Sequence, residues 1–400
     1  MKRMTNSIPN SYFLRASIAS AGLTLAAGTA FAVTGAELSG YGIKNAAMGG
    51  ASIALPLDAS AAANNPAGMA FVPTSLSANV LVFQGNTTAT IQGVQLTDAT
   101  NVVSPEGGFN WVISPEMTVG LTFSGSGAGA DYGRLYPTPF PVAGAENLKS
   151  TRKTAEITQS VSWKVNPDLA LGFGLIYSAQ EVSTQGLVQP IPVAPFIVAV
   201  PSHGTQTATG WGARIGALWN ASSDFSLGAT YRMKTFMSSL SGYSGDILAY
   251  SNGSLDLPEE YGVGVAWKPT SSVTVAADLL NTVYSGVKAN QDPNGPKWSD
   301  QQVFKFGVSW AVNPTWTLRG GFSNASKQID SSRLSQNLSS PAIDTFAYDF
   351  GVTMKIDDKS DISFSVDTTT SNTIEGTGTS LGTSITGKTQ VIRLGYQRLF

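Results

Sequence analysis

From Leu76 onward, apolar side chains return at every second position over stretches of about ten residues, the period of a strand whose faces meet different surroundings. Leu169, Leu171, Phe173, Leu175 and Tyr177 alternate with Ala170, Gly172, Gly174, Ile176 and Ser178. Phe304, Phe306, Val308 and Trp310 alternate with Val303, Lys305, Gly307 and Ser309. Phe346, Tyr348, Phe350, Val352, Met354 and Ile356 do so with Ala347, Asp349, Gly351, Thr353 and Lys355. One face is oily, and the other carries glycine, hydroxyls and charge. Six short breaks supply the Pro, Asp, Asn or Ser that a tight reversal needs: Ser114-Pro115-Glu116, Asn166-Pro167-Asp168, Ala221 to Asp224, Pro269 to Ser272, Asn313-Pro314-Thr315 and Asp357 to Ser360. Longer links rich in Gly, Ser, Thr and Pro lie between them. Short and long links therefore alternate, as periplasmic turns and outer loops do in an outer-membrane barrel. With an entry strand and a final strand, the six turns predict an all-β chain: a transmembrane antiparallel β-barrel of about 14 strands, closed because lipid leaves no partner for a free sheet edge.

The alternation alone also fits a soluble sandwich, and the strand ends decide between the two. Trp111, Trp163, Trp219, Trp267, Trp310 and Trp316 lie near the short turns, where an apolar ring with a polar N–H suits a membrane interface. Ile392, Leu394, Tyr396 and Phe400 alternate to a terminal aromatic residue, as the last strand of such barrels does; Arg398 falls at the interface, within reach of water.

Composition agrees. Charged residues make up 12% of the chain, about half the share of a typical soluble protein, and glycine numbers 42. The absence of cysteine removes disulfides and thiolate metal sites, and a net charge of −2 gives no reason to expect nucleic acid. No cofactor and no metal site is expected. Lys2, Arg3 and Arg15, the apolar run Ala16 to Ala27 and the small-residue site Ala30-Phe31-Ala32 read as a cleaved export signal over residues 1–32. A membrane anchor would need a longer apolar run.

Residues 33–73 precede the barrel (74–400) and do not alternate. They are rich in Ala and Gly, the composition of a compact segment able to fold inside a lumen. Ala47-Met48-Gly49-Gly50-Ala51, then Asp58, then Asn65-Pro66-Ala67-Gly68, resemble the N-terminal hatch of the FadL family of long-chain fatty acid transporters. Leu257-Pro258 before the strand from Tyr261 to Trp267, the stretch Asp278 to Tyr284, Trp298-Ser299-Asp300 and Trp316-Thr317-Leu318-Arg319-Gly320-Gly321 resemble that family in order and spacing, so the similarity covers nearly all of the mature chain. The resemblance implies a fourteen-stranded barrel plugged by the hatch, with no chemical reaction. Ligand is captured between outer loops, passes to a deeper pocket and leaves sideways through a gap at a kinked strand. The fatty-acid members keep an aromatic residue near the mature N-terminus, whereas Val33-Thr34-Gly35-Ala36 is small here, which leaves the ligand open.

Three sets of residues are candidates for handling a ligand. The loop Leu187 to Pro201 carries Leu187, Val188, Ile191, Val193, Phe196, Ile197, Val198 and Val200 with four prolines and no charge. Such a patch either packs against other loops or receives something apolar. Tyr132, Leu135, Tyr136 and Phe140, with Ile247, Leu248 and Tyr250, are candidates for the opposite wall. Strand parity turns Arg214, Arg232, Lys305, Arg319, Lys355, Arg393, Asp278, Asp349 and Asp367 towards the lumen, where they pair with one another or, for Arg319 or Lys305, meet a ligand carboxylate. Gly125, Gly127 and Gly129 mark either a strand kink or the start of a flexible loop. His203, the single histidine, has no nearby nucleophile, which argues against an embedded hydrolase. The expected activity is passive uptake of long-chain fatty acids or other apolar small molecules by a monomer embedded among outer-membrane lipid and lipopolysaccharide. A general porin and a surface adhesin are the alternatives.

Overall fold

A computed structural model describes residues 38–190 and 197–400. The export signal, residues 33–36, and the loop side chains Ile191, Val193 and Phe196 lie outside the described residues.

Fourteen long strands form the wall: β1 (Ser75–Ile91), β2 (Asn101–Val112), β3 (Met117–Leu135), β4 (Asn147–Lys164), β5 (Leu169–Gln185), β6 (Gln206–Asn220), β7 (Phe225–Arg232), β8 (Glu259–Thr270), β9 (Val273–Val283), β10 (Gln301–Ala311), β11 (Trp316–Ala325), β12 (Phe346–Lys355), β13 (Ser360–Thr369) and β14 (Thr383–Leu399). Every neighbouring pair is antiparallel, and β1 closes the barrel on β14 from Ser75↔Leu399 to Ile91↔Thr383. The six short reversals fall where Pro, Asn, Asp and Ser place them. In two of them the Asn166 and Asn313 side chains accept two backbone N–H bonds each at 2.8–2.9 Å, which holds the turn shut.

The oily face points outward. Phe350 is 62% exposed and Val263 57%, while their inward neighbours Asp349 and Gly264 are buried. Trp163, Trp219, Trp267, Trp310 and Trp316 are exposed at the short-turn rim, and Trp111 is half-buried there. The sequence reading missed a second belt nearer the loops, formed by Tyr177, Trp211, Tyr231, Tyr261, Phe304 and Tyr348; the Tyr177 and Trp211 rings lie 4.9 Å apart. Two aromatic belts flanking an uncharged band are what a bilayer selects.

Residues 38–73 fill the lumen as a short helix α1 (Ile43–Ala46), a short helix α2 (Ala61–Asn64) and a 3-10 turn (Pro66–Phe71). Small side chains let this segment lie against the wall, and the wall answers with glycine. A Cβ on Gly228 would stand 2.3 Å from the Ile53 carbonyl oxygen, one on Gly172 would stand 2.2 Å from the Ala67 nitrogen, and one on Gly307 2.3 Å from the Met48 carbonyl oxygen. These positions belong to the inward parity of β7, β5 and β10, so the glycines form niches that the hatch backbone occupies.

Candidate ligand passage

The hatch is bonded to the wall from several sides. Asn65 sits before the 3-10 turn and caps it, accepting from the Ala67 N–H at 3.1 Å, while its amide donates to Ile53 O at 2.8 Å and to Ala217 O of β6 at 3.1 Å. Pro66 begins the turn, where its missing N–H is no loss. Ser162 of β4 donates to Ala67 O at 3.1 Å, and a Cβ on Gly68 would stand 2.9 Å from the Pro56 side chain. The Asn-Pro-Ala-Gly run is thus a structural clasp. Asp278 of β9 accepts from the Ser52 and Ile53 N–H groups at 2.6 and 3.0 Å, Glu106 of β2 accepts from Gly42 N–H at 2.5 Å, and Lys44 donates to Asp361 at 2.7 Å and to Gln397. Charge-assisted bonds of this kind are about twice as strong as neutral ones.

Three of the lumen arginines pair with carboxylates. Arg214 reaches Glu260 at 3.0 Å and also donates to Asn64 O of the hatch at 3.0 Å. Arg232 reaches Glu156 at 2.5 Å, and Arg393 bonds Asp367. Glu156 and Glu260, which the sequence reading did not single out, supply the carboxylates; both are buried and sit at inward parity, the signal that identifies them. Lys355 departs from its expectation: it is exposed at the short-turn rim, where the strand runs out into solvent.

Lys305 and Arg319 are not brought together. Arg319 is half-buried towards the short-turn end and donates to Thr353 at 2.6 Å. Lys305 is buried on β10 opposite Asp278, one of whose carboxylate oxygens accepts the two hatch N–H groups while the other makes no hydrogen bond; among the described residues Lys305 makes no hydrogen bond or close ion pair, but that carboxylate is its main electrostatic partner. Lys305 lines a small, partly open cavity of about 40 Å³, walled by Leu38, Ile53, Leu280 and Val303 and by the polar Arg214 and Gln301.

At the loop end, Tyr132, Leu148, Tyr284, Trp298, Leu334, Leu338 and Ile343 pack into one cluster, with Tyr136 and Leu187 against it. Ile247 and Leu248 belong to a second cluster with Val182, Ala208 and Tyr243. Phe140 and Leu135 are exposed, and Val188 and Ile197 stand on two short strands that pair antiparallel. The expected apolar walls are therefore divided between two clusters. His203 bonds Asp246 at 2.5 Å and links the two loops involved.

The loop before β12 carries a buried carboxylate, Asp344, which accepts from Thr369 at 3.2 Å and Thr389 at 2.6 Å. Burial pushes its acid up to about 6, and the threonine bonds pull it back only partly. Because the folded value lies above the unfolded one, the stabilisation belongs to the protonated form; it is full below about pH 4 and is lost as pH rises through about 6. Hydrogen exchange should show residues 338–345 better protected at pH 5 than at pH 8, and Asp344→Asn should flatten the difference.

Gly125, Gly127 and Gly129 lie within β3 and pair with Ala155, Lys153 and Thr151 of β4. On the other side, β3 pairs with β2 only from Gly107↔Phe123 to Val112↔Thr118. Beyond that rung β2 keeps β1 and β3 keeps β4, but the two no longer pair with each other. Gly127, Ala128, Gly129 and Ala130 are buried in succession, so the two-residue alternation fails where the wall parts. Pro105, which has no N–H for a ladder, sits on β2 at this place.

The sequence matches the family model described as outer membrane protein transport protein (OMPP1/FadL/TodX) over residues 17–400. The chain belongs to this family. The OMPP1/FadL/TodX fold also appears in its structural neighbours. The toluene transporter TodX of Pseudomonas putida superposes with a TM-score of 0.71 at 18% identity, covering 91% of this chain and 99% of its own. A FadL homologue from Pseudomonas aeruginosa gives 0.67 at 17% identity, covering 92% and 99%, and the toluene transporter TbuX of Ralstonia pickettii 0.65 at 18%, covering 90% and 99%. No curated sequence matches the chain. As a member of the FadL/TodX group, the protein is an outer-membrane β-barrel of a transport family. Arg152, half-buried with its guanidinium 6.0 Å from the Trp298 ring in the loop-end cluster, went unnoticed in the sequence, because its neighbour arrives from a distant loop.

Proposed function

We propose that the protein conducts hydrophobic small molecules, long-chain fatty acids among them, passively across the outer membrane. Ligand enters between the apolar loop clusters, rests in the chamber beside Lys305 and leaves sideways where β2 and β3 part. The observation that carries this reading is a lumen filled by a bonded hatch next to a wall that is unpaired on one side. A clasped hatch favours exit through the wall over exit past the plug.

The driving force is burial. Each CH₂ moved out of water gains about 0.8 kcal/mol, so a long acyl chain collects on the order of 10 kcal/mol from an apolar passage. Toluene, the compound named for TodX and TbuX, would use the same surface with a smaller gain.

Mass spectrometry of small molecules that copurify with the protein tests the reading, with apolar compounds or fatty acids expected. Lys305→Met should weaken binding of a fatty acid about tenfold or more, the worth of a hydrogen bond to a charged group, while leaving a neutral alkane nearly unchanged. Equal losses for both ligands would remove Lys305 from the site.

A further inference from the structure

The outer surface of β3 to β5 carries a group of charges that transport does not use. We propose that this patch binds the phosphorylated sugar headgroup of lipopolysaccharide and seats one such molecule beside the parted wall. Lys149 and Lys153 share the outward parity of Val161 and Trp163 on β4. Lys149 pairs with Asp131 of β3 at 2.7 Å and Lys153 with Glu181 of β5 at 3.9 Å; Arg134 is exposed nearby on β3 and donates to Gln95 O at 3.3 Å.

Register fixes their height. Ile157 lies across from Tyr177, which lies across from Trp211, so those three mark the loop-side belt on adjacent strands. Below it the outward face of β4 is Gln159, Val161 and Trp163, without charge. Lys153 lies four residues beyond the belt and Lys149 a further four. With the usual strand rise and tilt that is about 10 and 20 Å above the apolar band. A phospholipid carries its phosphate at the band's edge, whereas a phosphorylated saccharide extends anionic groups outward over this range. The lysines suit the phosphates. Exposed ion pairs are weak enough for a phosphate to displace Asp131 or Glu181, and the freed carboxylates then share divalent cations with neighbouring phosphates.

Delipidated protein, incubated with lipopolysaccharide and read by native mass spectrometry, should retain one glycolipid. Lys149→Glu with Lys153→Glu should lower its affinity by about tenfold or more, as expected when cations at a lipid surface are reversed. Lys149→Gln with Lys153→Gln should lower it less and provides the test if the reversed pair does not fold. Lys268→Glu, the same change at the opposite rim, should leave binding unaltered. Retention of the glycolipid by both lysine pairs would overturn the proposal, as would equal, lysine-dependent binding of phosphatidylglycerol, which would make the patch a general anionic-lipid surface.

Discussion

Replacing Gly228 and Gly307 together with leucine is expected to make the barrel conduct small ions more than the unaltered protein does. At both positions the added side chain would enter the hatch backbone, 2.3 Å from Ile53 O and from Met48 O, where no rotamer relieves the overlap. Overpacking costs about 1–3 kcal/mol per site. That penalty falls on the hatch, since the β7 and β10 ladders do not depend on these side chains. The barrel should remain assembled while residues 38–73 lose their seat, and planar-bilayer recordings should show a stable conductance larger than the parent's. Ala229→Leu, one residue along and facing lipid, serves as the control and should conduct no more than the parent.

The second large effect concerns the opening between β2 and β3. Extending the Gly107↔Phe123 register places Ser104 across from Ser126, beyond the last paired rung. With no native cysteine in the chain, Ser104→Cys with Ser126→Cys introduces a single possible bridge. A disulfide requires Cα atoms within about 7 Å, so its formation draws the two strands together and shuts the gap. In vesicles loaded through this protein, oxidation should reduce entry of an apolar ligand to the level of protein-free vesicles, and reductant should restore it. If exit instead ran past the hatch, oxidised and reduced forms would carry ligand equally well.

How much of this was readable beforehand differs by element. The wall was legible because its period is local: each of β5, β10 and β12 states its two faces within ten residues, and each short turn carries its own Pro, Asn or Asp. The glycine niches were visible as inward residues but not as niches, because their meaning depends on a hatch backbone more than a hundred residues away in sequence. Glu156 and Glu260 could have been found by the same parity that found Arg214 and Arg232. The parting of β2 from β3 leaves little pattern, since β2 keeps its alternation and β3 turns there to small residues that could equally begin a loop; Pro105 and the Gly125–Gly129 run are its traces. The loop groove was least legible. Which apolar loop residues meet depends on how distant loops fold over the mouth, and the structure divides Leu187 and Tyr136 from Ile247 and Leu248. A porin-like reading is opposed by the same facts that clasp the hatch.

The most direct measurement places the unaltered protein in liposomes and follows, in one preparation, the leak of a small ion and the entry of a fluorescent fatty acid or aromatic hydrocarbon. A plugged lumen with a side exit predicts protein-dependent entry of the apolar compound while ions stay confined. Ion leak with no selective entry of the apolar compound would contradict it.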